Sequence, residues 1–191
     1  MFTRILGLLV MLSATTALGA LDKPIYDVSV FAKQVQTQMA TQALNWKVGD
    51  STDHNLNMGF LPGTMHSEVR EETSNGFWIQ QDVELGFGQT QKIEVLFDKN
   101  TGQVLEVRVN GEKQSPPDAG NMEVVDMKEA SVTVPKGTFD CIYVKIRDTK
   151  KNEESEAWIN PELIPINGLI KTIAPGPFGE VVLELTDYRR M

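Results

Sequence analysis

The chain has 191 residues, 41% of them apolar, and a formal net charge of −8. That length and apolar share suit one domain with its own core, and an acidic chain without a basic stripe argues against nucleic acid and anionic membrane surfaces as partners. A single cysteine, Cys141, excludes an internal disulfide.

The first twenty residues read as a separate object. Arg4 precedes an apolar run, Ile5 to Leu12, that is too short to span a bilayer, and small residues follow up to Ala17-Leu18-Gly19-Ala20. This is the layout of a cleavable secretory signal peptide. Residues 1–20 are therefore expected to be removed, and 21–191 to form a single domain in the periplasm or outside the cell. No later apolar run reaches membrane-spanning length.

Val28, Phe31, Ala32, Val35, Met39 and Ala43 recur at intervals of three and four residues, which predicts a helix over 27–43 with Asp27 as its N-cap. Its polar face carries Gln and Thr with only Lys33, unlike a membrane-surface helix, so it should pack on the protein's own sheet. After Leu44 the period changes to two. Trp46, Leu56, Met58 and Phe60 alternate with polar residues, and Pro62-Gly63 predicts a turn. Met65, Ser67 and Val69 follow. Phe77, Ile79, Val83, Leu85 and Phe87 then share a face, with Gln80, Asp82 and Glu84 opposite. Ile93, Val95 and Phe97 lead to a hairpin turn at 98–102, and Leu105, Val107 and Val109 return. Residues 115–120 (SPPDAG) read as a loop within the domain. Further strands are expected over 122–134, 141–146, 153–159 and 181–188, giving an antiparallel meander across about 44–189.

Residues 156–171 (EAWINPELIPINGLIK) interrupt that meander. Pro161 and Pro165 cannot donate to a ladder, so the chain must leave the sheet. Yet Leu163, Ile164, Ile166, Leu169 and Ile170 are too apolar for an exposed loop. Eight to ten strands at about 4.8 Å make a sheet roughly 40 Å wide. A helix of about 17 residues is roughly 25 Å long and 10 Å across. One helix cannot cover such a face, so 160–170 should fold back as a second cover. The expected class is mainly β with one helix (α+β): a curved antiparallel sheet of eight to ten strands forming an incomplete barrel around the N-terminal helix.

Such an interior is either filled or leaves an apolar cavity. The candidates to line it are Phe31, Val35 and Met39 of the helix, Met58, Phe60, Ile79, Val95 and Phe97 of the strands, and Leu163, Ile164, Ile166 and Leu169 of the cover. Arg70 and Arg108 sit mid-strand beside inward residues. They are candidates to hold a carboxylate or phosphate headgroup at the cavity mouth, or else face outward and pair with Glu68, Glu72 or Glu106.

Four stretches carry a family resemblance: Trp46-Lys47-Val48-Gly49-Asp50, Val134-Pro135-Lys136-Gly137-Thr138-Phe139-Asp140-Cys141, Trp158-Ile159-Asn160-Pro161-Glu162 to Gly168-Leu169-Ile170-Lys171, and Leu183-Glu184-Leu185-Thr186-Asp187-Tyr188. Over about Trp46 to Tyr188 the chain resembles uncharacterised exported bacterial β-sheet proteins with the half-barrel of the lipoprotein-localisation (LolA/LolB-like) superfamily. The resemblance implies a periplasmic half-barrel in the Gram-negative envelope, with an N-terminal helix and a cavity suited to lipid or acyl chains. It also implies a lipid or lipidated protein as partner. No lipoprotein-carrier signature matches residue by residue, so no binding residue is carried over.

Chemistry is sparse. With a turn at Pro62-Gly63, His54 and His66 lie roughly 17 Å apart and read as surface residues. The 98–102 turn is not a calcium loop, because Gln103 and Val109 stand where Gly and Glu are required. Asp82 and Glu84 fall on an outward face, and Cys141 reads as a small buried hydrophobe. There is no Gly-x-Ser-x-Gly, phosphate loop or Cys/His cluster. The sequence therefore predicts no catalytic residue, metal site or cofactor. The expected function is non-catalytic binding of a hydrophobic ligand, a lipid or acyl chain. The alternative is an envelope structural or protein-interaction module with a filled core, which would show an exposed apolar patch or a bare strand edge.

Overall fold

The computed structural model describes residues 28–39, 44–116, 121–176 and 179–191. The expected signal peptide and the Asp27 cap lie outside them. Helix α1 (Val28–Met39) is followed by β1 (Ser51–Met58), β2 (Leu61–Glu72), β3 (Gly76–Leu85), β4 (Gln89–Asp98), β5 (Val104–Val109) and β6 (Glu112–Gln114). Then come β7 (Met122–Val134), β8 (Gly137–Asp148), β9 (Glu153–Ile159), β10 (Leu169–Gly176) and β11 (Gly179–Arg189). All eleven strands form one curved, unclosed antiparallel sheet in the order β6-β5-β4-β3-β2-β1-β11-β10-β9-β8-β7. This is the architecture the resemblance implies, with more strands than the eight to ten expected.

The strand order itself forces the curvature. Eleven strands at about 4.8 Å would span roughly 50 Å if flat. The two edges are β6 and β7, which are consecutive in the chain, and Gln114 and Met122 are eight residues apart. Eight residues reach at most about 28 Å. The sheet must therefore bend until its edges approach within that span.

Burial follows the bend. Val28, Phe31, Ala32 and Val35 of α1 are buried as their spacing predicts, and so are Val30 and Gln34, because the wrapped sheet meets more than one face of the helix. One apolar cluster joins α1 to Trp46, Val69, Phe77, Ile79, Ile93, Val95 and Phe97. In it the Phe31 ring meets Phe97 edge-on at 5.1 Å, and Trp46 stands edge-on to Phe97 at 5.7 Å. A second cluster fills the other arm of the sheet around Leu56, Met58, Met65, Val83, Val144, Ile159 and Leu183. The tip of the β7–β8 hairpin folds onto β11, where the Lys136 amide donates to the Leu185 carbonyl at 3.0 Å.

Two expected inward aromatics are corrected. Met58 pairs with Leu61, so the first hairpin turns at Gly59-Phe60 and not at Pro62-Gly63. Gly59 takes the left-handed backbone (φ +72), and Phe60 is carried out to 75% exposure. Gly63 serves packing instead: a Cβ there would lie 2.3 Å from the Glu84 carbonyl oxygen of β3. Phe87 likewise occupies the tight turn between β3 and β4 with φ +67, and it is exposed.

Candidate functional site

The cover segment leaves β9 at Asn160 and rejoins the sheet at Leu169. Its base is closed by the Asn160 amide donating to the Gly168 carbonyl at 2.8 Å, and its first turn by the Ile164 amide donating to the Asn160 carbonyl at 2.9 Å. This is a compact loop with close ends that carries its own apolar side chains inward. Gly168 (φ +71) is required twice over. Its backbone is left-handed, and a Cβ would sit 2.6 Å from the Pro161 nitrogen. Ile164, Ile166, Leu169 and Ile170 are buried, as the cover role predicts, whereas Leu163 points away and is 43% exposed.

Two polar contacts latch the cover to the N-terminal part. The Trp46 indole N–H donates to the Ile166 carbonyl. The Asn167 side-chain amide donates to the Gln34 side-chain oxygen of α1 at 3.0 Å. Ile166 holds φ +64, rare for a β-branched residue. Its buried side chain and the Trp46 bond fix that conformation.

Between α1, the cover and the sheet lies a cavity of about 30 Å³. That is room for a water molecule or two; a cavity that admits benzene is about 150 Å³. Of the predicted lining residues, the structure places Phe31, Ile166 and Leu169 on this cavity. Val35, Met58, Ile79, Val95, Phe97 and Ile164 are buried in the packed core around it. The Met39 side chain lies outside the described residues.

The other lining residues are apolar Val30, Met65, Ala174 and Leu183 and a polar set that sequence reasoning did not single out as site residues: Gln34, Thr52, His54, Ser67, Gln81, Asn167 and Thr172. Their signal was positional. Ser67 occupies an inward register between Met65 and Val69 and Gln81 one between Ile79 and Val83, while Thr52 and His54 continue the inward face of Leu56 and Met58. The surface assignment of His54 is overturned, since it is 2% exposed. His54 lies on the inward face of β1 with Leu56 and Met58, and the shifted turn places it opposite Met65 and His66 opposite Asp53. The two histidines are thus neighbours across the β1–β2 ladder on opposite faces, and the 17 Å separation does not hold. His66 Nδ1 lies 2.7 Å from the Asp53 carboxylate on the outer face. Burial pushes the His54 pKa down to about 4 against smaller opposing effects of the Leu169 carbonyl and the Asp53 charge.

Arg70 and Arg108 take the outward alternative. Arg70 donates to Glu68 and Arg108 to Glu106, each at 2.7 Å, and Arg108 lies over the Trp78 ring. Neither reaches the cavity. Cys141 is buried with Sγ 3.5 Å from the Ala130 carbonyl, and burial pushes its thiol pKa up, which disfavours the reactive thiolate. Among the described residues no three His, Cys, Asp or Glu side chains are placed to hold a metal ion, and no helix is long and apolar enough to cross a membrane.

The unclosed sheet leaves a second feature. β7 pairs with β8 alone among the described strands and runs thirteen residues. Val124, Val125 and Met127 are exposed along it, Met127 at 55%, and Ile142 of β8 is exposed beside them. Val125 is the extra residue of a bulge, because Val124 pairs with Ile146 and Asp126 with Lys145.

No protein-family model matches the chain, and no curated protein matches it in sequence. Solved structures do. The hypothetical protein CT021 from Chlamydia trachomatis superposes with a TM-score of 0.50 at 12% identity, covering 82% of this chain and 92% of that one. A protein with a YmcC-like fold from Bacteroides fragilis gives 0.42 at 12% identity, covering 78% and 99%. MucB in its complex with MucA from Pseudomonas aeruginosa gives 0.44 at 9% identity, covering 85% of this chain and 57% of that one. At such identities the first of these is a likeness of fold.

Proposed function

We propose that this protein is a non-catalytic binding module of the bacterial envelope, and that it holds an extended segment of a partner protein as an added strand on β7. One observation carries the reading: a long sheet edge that has no neighbouring strand among the described residues and bears exposed Val124, Val125 and Met127. Proteins usually blunt such edges with charge, proline or brevity. β6, the opposite edge, is blunted that way, with three residues including Glu112 and Lys113. β7 is not. An added strand would gain main-chain hydrogen bonds along the edge, and alternate apolar side chains would meet Val124, Met127 and Ile142. The chain's net charge of −8 favours a partner segment with basic flanks. The leader-like first twenty residues support an exported, periplasmic setting.

The packed interior bears on the ligand-carrier alternative. An acyl chain needs far more room than the cavity of about 30 Å³ under α1 and the cover, so a carrier that used this cavity would have to part α1 and the cover from the sheet. The two readings separate in one experiment. The full-length protein is expressed in its own envelope, purified and measured by native mass spectrometry, with amide exchange on the complex. The expected result is a retained polypeptide that slows exchange in β7, and its recovery falls at least tenfold for Val124→Lys/Met127→Lys at unchanged melting temperature. Retention of a lipid instead, or equal recovery with the double variant, overturns the edge reading.

A further inference from the structure

Polar side chains form a belt across the inner face of the sheet, where strand alternation would otherwise bury apolar ones. Thr52 faces Ser67, and Ser67 faces Gln81, on three adjacent strands. The Gln81 amide lies 3.3 Å from the Ser67 hydroxyl. His54 follows Thr52 at the next inward position of β1, and Gln34 and Asn167 close over the belt from α1 and the cover. All six are buried. Buried polar groups are costly unless paired, so each one's partner must be traced.

His54 is where that tracing stops. Its Nε2 lies 3.1 Å from the Leu169 carbonyl oxygen. A carbonyl only accepts, so Nε2 carries the proton and donates. Nδ1 then presents a lone pair, and it is the one buried side-chain polar atom without a hydrogen-bond partner among the described residues. A buried acceptor left unpaired costs about 1–3 kcal/mol. His54 and Leu169 both line the cavity of about 30 Å³.

We propose that this cavity is a binding site for a neutral hydroxyl group, which donates its O–H to His54 Nδ1. The hydroxyls of Thr52 and Ser67 and the amides of Gln34 and Asn167 line the same space. Charge fixes the ligand class. No Lys or Arg lines the cavity, so an anion would meet a lone pair and no counter-charge, and no Asp or Glu lines it to hold an ammonium. Size limits it further: a water needs roughly 10–15 Å³, so the site takes a water or the hydroxyl end of a small alcohol. Phe31, Met65 and Leu183 on the other walls favour an alcohol with a short apolar stem. The site lies inside the half-barrel, away from the exposed edge face of β7, and it stands whether or not that edge binds a partner.

Nitrogen NMR on the full chain labelled at histidine tests the proposal at pH 7. The expected spectrum shows His54 protonated at Nε2, with Nδ1 shifted from the position of a bare lone pair. Two arms separate the sources. Magnetisation exchange between water and the Thr52 or Asn167 side chains reports a held water. Addition of ethanol, with acetate as the anionic control, reports alcohol binding by displacing those water signals and moving Nδ1. Water signals without an ethanol response leave the site as a hydration site of the same chemistry and support the proposal. A bare Nδ1 lone pair, a proton on Nδ1, or a response to acetate in place of ethanol overturns it. His54→Gln keeps an acceptor and should retain the water signals, whereas His54→Leu should lose them. If His54→Leu fails to fold, the wild-type and His54→Gln spectra still decide.

Discussion

At His54, one ring ties the interior to pH. Its pKa is held at about 4 by burial, against 6.5 in an open chain. Between those values the unfolded chain binds more protons than the folded one, so stability rises with pH across that window. Going down, the loss begins near pH 6.5 and is complete below about pH 4, and it amounts to about 3 kcal/mol. Urea midpoints measured from pH 7.5 to 4 should fall accordingly, and His54→Gln should flatten the part of that slope which His54 contributes. An equal slope in both proteins would place the titrating group elsewhere. Gly168 gives a second prediction at this scale. Gly168→Ala combines a left-handed backbone with a contact to Pro161 that backbone atoms must absorb, so it should cost roughly 2 kcal/mol or more by denaturant titration. Neither role was open to sequence reasoning in full. The Asn167-Gly168 pair signalled a turn, but the Pro161 contact depends on how the loop closes. The first turn was misplaced because Pro62-Gly63 resembles one, whereas proximity to β3 demands glycine at 63; the burial of His54 was legible in its alternation with Leu56 and Met58.

The cover segment is the element on which the interior depends. Its apolar residues were legible because prolines force the chain off the sheet while isoleucines force it back onto the core. Leu163 departs from that pattern because the turn closed by the Asn160 carbonyl and side chain rotates it outward. What holds the segment shut was less legible, since it comes from distant positions. Trp46 reaches Ile166, Gln34 reaches Asn167, and the Arg190 guanidinium donates to the carbonyls of Pro161 at 2.8 Å and Ile164 at 3.2 Å. Arg190 lies outside the core, so its removal should loosen the cover without unfolding the sheet. Arg190→Ala is expected to speed amide exchange in 160–168 roughly tenfold while β2 to β4 stay protected. Uniform loss of protection would show that the cover and sheet open together. Helix α1 was legible in type, and its spacing named one of the faces it buries, that of Val28, Phe31, Ala32 and Val35, but not Val30 and Gln34. Over its twelve described residues it is about 18 Å long.

For the whole molecule, the decisive pairing is between its first and last strands. Local alternation announced a meander but could not say that β1 and β11 meet, with Ser51 opposite Arg189. No turn joins them, so no local sequence signal exists. That ladder joins the arm β2–β6 to the arm β7–β10, and β11 contributes Val181, Leu183 and Leu185 to the core. Each arm alone would be an open sheet with one apolar face uncovered. It follows that the two arms should unfold as one unit, and that folding should be slow, in the range of milliseconds to seconds, because the ladder closes a very long loop. Truncation after Pro175 removes β11 and should abolish cooperative unfolding, whereas Lys113→Pro in the three-residue edge strand β6 should cost less than about 1 kcal/mol. Circular dichroism melts of the two variants make the comparison. A cooperative melt that survives the truncation would mean the arms are separate folding units. The curved sheet would then arise from their docking, not from a continuous ladder.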